Sequence, residues 1–215
     1  MVSRPVATTR DTRERIFAAA ATEFAARGFD GAKVHRIAAR AGVNKAMVYY
    51  HFPGKLGLYR VILADMFGAV ASAVDAIRHA GGAPEAQLRA FIRAIADQGL
   101  ARPHFPSMWL REIAEGGRHV DDAIVRQMRK VIETLAAILT DGHRAGVFRL
   151  VNPFVTQIGI VAPIMLQAAS LPMRERFKHL KTPHVTAISR EEMLAHIEAA
   201  TLAVVSAPRR SRSRP

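Results

Sequence analysis

The chain of 215 residues is 50% apolar and 23% charged, carries a formal net charge of +13 and contains no cysteine. That apolar content excludes a disordered tail, and the missing cysteine excludes disulfides, thiol nucleophiles and Cys-based metal sites. The start, MVSRPVATTRDTRER, has no apolar leader, and no run approaches the roughly 18 residues of a spanning helix, so a cytoplasmic protein is expected.

Charge is unevenly spread. Residues 1–60 hold 11 Lys/Arg against 4 Asp/Glu, whereas residues 61–205 hold 16 against 14 and the Arg/Ser tail adds four arginines. A basic module joined to a nearly neutral body points to a polyanion partner for the module alone.

In chain order, the pattern predicts an all-α fold of about nine helices. Residues 12–27 put Ile16, Phe17, Ala20 and Phe24 on one face, and Gly28 follows as a stop. A short helix over 33–41 ends at Gly42, Asn44 caps a third over 44–52, and Pro53-Gly54 closes it. A long helix then runs from 54 or 55 to Gly81-Gly82. Helices over 84–100, 107–115, 120–145 and 154–170 follow, and MRERFKHLKTPHVTAIS reads as partly loop. Ser189 with Glu192 three residues on opens a last helix to about 205 with a capping box. The expected organisation is a basic arm (1–11), a helix-turn-helix module (12–58), a larger helical body (59–205) and an Arg-rich tail (206–215).

The second and third helices, joined by a turn containing Gly42, form the arrangement in which the second helix enters a DNA major groove. Ile37, Ala38, Ala41, Val43 and Val48 supply the crossing contacts, leaving Lys45, Met47, Tyr50 and His51 facing away.

Over residues 12–60 the chain resembles the DNA-binding region of TetR-family (TetR/AcrR) transcriptional regulators. The residues that carry the resemblance are an Ile-x3-Ala-x3-Phe helix ending in Arg-Gly-Phe, then Ile-Ala-x2-Ala-Gly-Val, then Tyr-x-His-Phe-x2-Lys. The resemblance implies a ligand-responsive regulator, a repressor in the leading reading, that binds a palindromic DNA operator as a homodimer and is released by a small-molecule effector. It implies DNA contacts from Lys33, Asn44, Lys45, Ala46, Met47, Tyr49, Tyr50, His51 and Lys55, with Phe52 in the core. Lysines and tyrosine hydroxyls suit phosphates, Ala46 and Met47 suit thymine methyls, and Lys45 alone suits a guanine edge. Two positions depart from the family pattern. Ala32-Lys33 replaces the usual hydroxyl at the start of the second helix, and Asn44 replaces the commoner Ser or Thr, with equal capping ability. Arg4 and Arg10 have minor-groove chemistry, although an idle terminus is the favoured reading.

The resemblance also implies a ligand cavity and a dimer interface in the body. Phe67, Phe91, Met108, Trp109, Glu112, Met128, Phe154 and Met165 are candidates for the cavity, each weighed against simple core packing. Ile158, Pro163, Ile164, Leu194, Ile197 and Leu202, on the last two long helices, are candidates for the interface. Other readings stay open: a DNA-binding or architectural protein without a ligand, and an all-α enzyme. The enzyme is disfavoured because HExxH, GxSxG and P-loop motifs are absent. Glu112 and Glu115 share a helix face with no histidine at ligand spacing beside them, so neither a metal nor a cofactor is expected.

Overall fold

The computed structural model describes residues 9–208. Its helices in order are α1 (Thr9–Gly31), α2 (Val34–Ala41), α3 (Lys45–His51), α4 (Gly54–Ala80), α5 (Pro84–Ala101), α6 (Phe105–Ala114), α7 (Asp122–Arg144), α8 (Pro153–Ala169), α9 (Leu171–Glu175), α10 (Pro183–Thr186) and α11 (Arg190–Val205). Among the described residues no strand forms; Phe148 and Ser206 make an isolated antiparallel bridge. The expected all-α fold is therefore observed. The count exceeds nine because the polar stretch after residue 170 folds into the short α9 and α10 and a 3-10 turn rather than an open loop. No described helix is long and apolar enough to cross a membrane.

The local signals act where the sequence places them. Gly28 interrupts α1 with φ 67°, and Gly42 ends α2 with φ 66° and ψ 37°. The Gly42 N–H reaches the Ala39 carbonyl and Val43 N–H reaches Ala38, the paired bonds of a Schellman turn. Asn152 and Ser189 cap α8 and α11 through side-chain oxygens. α6 begins at Phe105, two residues earlier than expected, because Pro106 occupies a first-turn position that needs no N–H.

The described chain separates into two compact units. One holds the residues up to Phe67 together with Arg102–Val125; the other holds Gly68–Ala101 and the residues from Arg126 onward. The expected boundary at residue 58 differs from this partition, since α6 and the turn after it belong with the N-terminal helices.

In the first unit Ile16, Ala20 and Phe24 of α1, Ile37 and Ala38 of α2, Val48 of α3 and Phe52, Leu58 and Ile62 are all buried. Phe24 meets Tyr59 edge-on at 4.9 Å, a geometry aromatic pairs prefer. In the second unit α5, α8 and α11 pack on one another through Leu88, Phe91, Ile92, Ile160, Ile164, Leu194 and Ile197. The buried Glu198 carboxylate ties α11 to α5 by ion pairs to Arg89 (2.8 Å) and Arg93 (2.7 Å). Gly142 has no side chain because the Phe148 ring lies where its Cβ would stand.

Candidate nucleic-acid interface

The short α3 is defined at both ends and anchored on one side. Asn44 Oδ1 accepts a hydrogen bond from the Met47 N–H at 2.9 Å, satisfying an orphan donor of the first turn. Val48 and Phe52, at 1% and 2% exposure, fix the inner face. The outer face is left to Lys45, Ala46, Tyr49 and Tyr50, with Tyr50 75% exposed, while Met47 and His51 are half-buried. At that exposure the Tyr50 ring lies outside the core, which separates it from the buried aromatics.

The side chains on this face are partly ordered by one another. Lys45 Nζ stands 5.6 Å from the Tyr49 ring centroid, and Tyr50 meets His51 edge-on at 5.1 Å. His51 Nε2 is buried with no hydrogen-bond partner, so that nitrogen is turned from solvent.

A second cationic element flanks α3. Lys55, in the first turn of α4, places Nζ 4.4 Å from the Phe29 centroid and donates to the Asp30 carbonyl at 3.5 Å. Burial and the neighbouring Lys33 both pull its pKa below the ordinary lysine value, partly offset by Asp30. Lys33 precedes α2 and gives no side-chain cap, as a donor-only group must.

The sequence comparisons match this region and the body to two models. "Bacterial regulatory proteins, tetR family" matches residues 16–62, and "Tetracyclin repressor-like, C-terminal domain" matches residues 84–177. The chain belongs to the tetR family of bacterial regulatory proteins. It is 25% identical over 141 residues to the HTH-type transcriptional regulator RutR of Escherichia coli K12, covering 66% of this chain and 66% of that one. It is 28% identical over 142 residues to the HTH-type transcriptional repressor NicS of Pseudomonas putida, covering 64% and 66%. The matched stretch thus spans just under two thirds of these relatives. Among solved structures, the hemolysin II transcriptional regulator HlyIIR superposes with a TM-score of 0.65 at 22% identity over 94% of this chain and 100% of that one. The fatty acid degradation regulator FadR of Bacillus halodurans gives 0.66 at 17% identity over 94% and 97%. At these identities the likeness is one of fold.

In this TetR-family chain the expected cavity residues divide between the units. In the first, Phe67 meets Trp109 at 4.8 Å and Phe105 at 5.3 Å, a half-open aromatic group. Met108 in that unit and Phe91 and Met165 in the other are buried as packing residues, Met128 is half-buried, and Phe154 is 55% exposed on α8.

Glu112 has a different role from the expected one. Fully buried, it accepts hydrogen bonds from the Tyr59 hydroxyl (3.0 Å), the His119 N–H (2.7 Å) and the His119 ring Nδ1 (2.9 Å). Burial alone pushes its carboxyl up, but the bonds from His119 and Tyr59 outweigh it and hold the pKa below the ordinary value. Burial of Tyr59, and after it the charge of the same carboxylate, push the Tyr59 hydroxyl well above the usual tyrosine range. The spacing argument that placed no histidine beside Glu112 and Glu115 also needs correcting. Gly116 and Gly117, both at positive φ, fold the chain back so that ligand-type atoms of Glu112, Glu115 and His119 lie within 4.8 Å of one another. Glu112 is already hydrogen-bonded through both oxygens, and Glu115 pairs with Arg118 at 2.9 Å, so internal partners occupy the set.

The expected interface residues need a similar correction. Ile164, Leu194, Ile197 and Leu202 are buried within their own chain, leaving no surface to cover, and Pro163 is half-buried. Ile158 is exposed, and α8 shows Phe154, Val155 and Leu166 beside it. Alternation of side chains around α8 hid this, because Ile160 and Ile164 are equally apolar yet point inward. Arg4 lies outside the described residues, as does the tail from 209, while Arg10 pairs with Glu14 at 3.1 Å.

Proposed function

We propose that this chain is a cytoplasmic, DNA-binding transcriptional regulator, a repressor that binds a palindromic operator as a homodimer and leaves it when a small molecule binds. The observation that carries the reading is the outer face of α3: a capped helix with a buried inner side and an exposed Lys45–Tyr49–Tyr50 surface, flanked by Lys33 and Lys55. Such a helix suits a major groove, where Lys45 meets base edges and Ala46 and Met47 meet thymine methyls. Tyr49, Tyr50, Lys33 and Lys55 meet phosphates, which fix register without reading sequence. Asn44 holds the helix start, and His51 backs Tyr50.

A dimer follows from the groove geometry, since two recognition helices must meet half-sites about 34–36 Å apart. The exposed α8 residues Phe154, Val155, Ile158 and Leu166 supply the apolar area for it. For the effector we take the half-open Phe67–Trp109 group as the site, with buried Met108 of the same unit shaping its wall. Effector binding shifts the population toward a form that does not fit the operator. The name of NicS, a repressor, favours repression. The region over 12–58 carries the DNA contacts and that over 59–205 the effector and dimer functions. The test is an electrophoretic shift on DNA upstream of the protein's own gene, repeated with a metabolite panel. A shifted band that a metabolite abolishes supports the whole reading; a band that no metabolite affects leaves a regulator without an effector.

A further inference from the structure

The arginines and lysines of the N-terminal unit divide by what neutralises them. Arg10 pairs with Glu14, Arg15 with Asp11 (3.4 Å), Arg27 with Glu23 (3.2 Å) and Arg118 with Glu115. Among the described residues Lys33, Lys45 and Lys55, the cations already assigned to DNA, have no carboxylate within ion-pair distance. Arg13 on α1 shares this condition with Arg40 on α2 and Arg111 on α6, and of these three arginines it is the one that stands over an aromatic ring.

The side chain of Arg13 is exposed, yet it is not loosely held. Its guanidinium carbon stands over the Phe52 ring, 5.0 Å from the centroid. Phe52 is the residue on which α3 ends, with its N–H bonded to the Val48 carbonyl at 3.0 Å. The ring therefore holds a cation at the C-terminal end of α3, on the opposite end from Lys45. A guanidinium held over a ring on one side and exposed on the other keeps N–H donors available for the oxygens of a phosphate.

We propose that Arg13 is a DNA-backbone contact, a phosphate clamp on α1 positioned by the Phe52 ring beside the recognition helix. This rests on the reading of α3 as a DNA-binding helix. Arg13 adds affinity and register and no base preference, because a phosphate looks alike at every step. With no carboxylate to neutralise it, Arg13 keeps its full charge for a phosphate, unlike the arginines next to it at 10 and 15.

The test is equilibrium anisotropy of a labelled duplex of about 30 base pairs, long enough for two half-sites, from upstream of the gene, across a salt series. Wild type, Arg13→Gln, Arg13→Lys and Lys55→Ala are compared, with thermal unfolding of each. Arg13→Gln is expected to lower the slope of log K against log salt by roughly 1.8, one phosphate contact from each protomer, to weaken operator and shuffled duplexes by the same factor, and to keep the wild-type Tm. Arg13→Lys is expected to retain most of the slope. If Arg13→Gln keeps the wild-type slope while Lys55→Ala loses its share, the clamp is refuted and the DNA reading stands. If Arg13→Gln loses Tm with no change of slope, Arg13 only covers Phe52 and the clamp is equally refuted. If wild type itself binds neither duplex in a salt-dependent way, the DNA reading fails and Arg13 falls with it.

Discussion

The Tyr59 hydroxyl donates to the fully buried Glu112 carboxylate at 3.0 Å across 53 residues of sequence, joining α4 to α6 inside the unit that carries α3. The His119 ring, 4.0 Å from Phe29 and 5.3 Å from Tyr59, completes the group. A buried carboxylate with three internal donors stabilises only while all three remain, since an orphaned donor or acceptor keeps its full desolvation cost.

Tyr59→Phe removes one donor and leaves the ring. The expected loss is about 1–3 kcal/mol, and chemical denaturation monitors it. Wild-type stability would indicate that water replaces the hydroxyl.

Acid dependence follows from the lowered Glu112 pKa. A carboxyl held below its unfolded value contributes stability above that unfolded value and loses it as pH falls through the folded one. Stability of the wild type should therefore decline on acidification below about pH 4.5. Glu112→Gln should be less stable at neutral pH and show a shallower decline. Urea midpoints measured between acid and neutral pH check this, and parallel curves would count against the assignment.

Gly42→Ala tests the turn that aims α3. At φ 66° an added Cβ is strained by about 1 kcal/mol, and the Schellman bonds of Gly42 and Val43 must shift. A modest fall in Tm with a larger fall in DNA affinity is expected, read by calorimetry and anisotropy.

The exposed face of α8 gives a contrast between two leucine-sized residues. Ile158→Asp should separate the homodimer, seen as monomer mass by analytical ultracentrifugation, with its own unfolding transition intact. Leu202→Ala, in a position 9% exposed, should cost about 2–5 kcal/mol of fold stability without acting on the association surface.

Much of the helix-turn-helix geometry was legible because its determinants are local. A glycine at positive φ, an asparagine cap and apolar residues three and four apart act within a few residues, and the structure keeps them at Gly42, Asn44 and Val48 with Phe52. The assignments that failed depend on tertiary packing. Nothing in the spacing of Glu112 says that Tyr59 and His119 reach it, because the two glycines that bring His119 back look like any helix stop. Ile164 and Ile158 are indistinguishable by composition, and only their neighbours decide that one is core and the other surface. Arg13 lacked any local sign, as its meaning lies in the absence of a carboxylate and in the ring at position 52.

Specificity rests on few polar groups, so the most direct test compares Lys45→Ala with Lys55→Ala on a panel of single-base operator variants at fixed salt. The account predicts that Lys55→Ala weakens every duplex by the same factor, whereas Lys45→Ala flattens the preference at one base pair in each half-site, a difference of about 1–3 kcal/mol. Unchanged base preference in Lys45→Ala, with wild-type affinity in both variants, would contradict the claim that α3 is the surface that reads DNA.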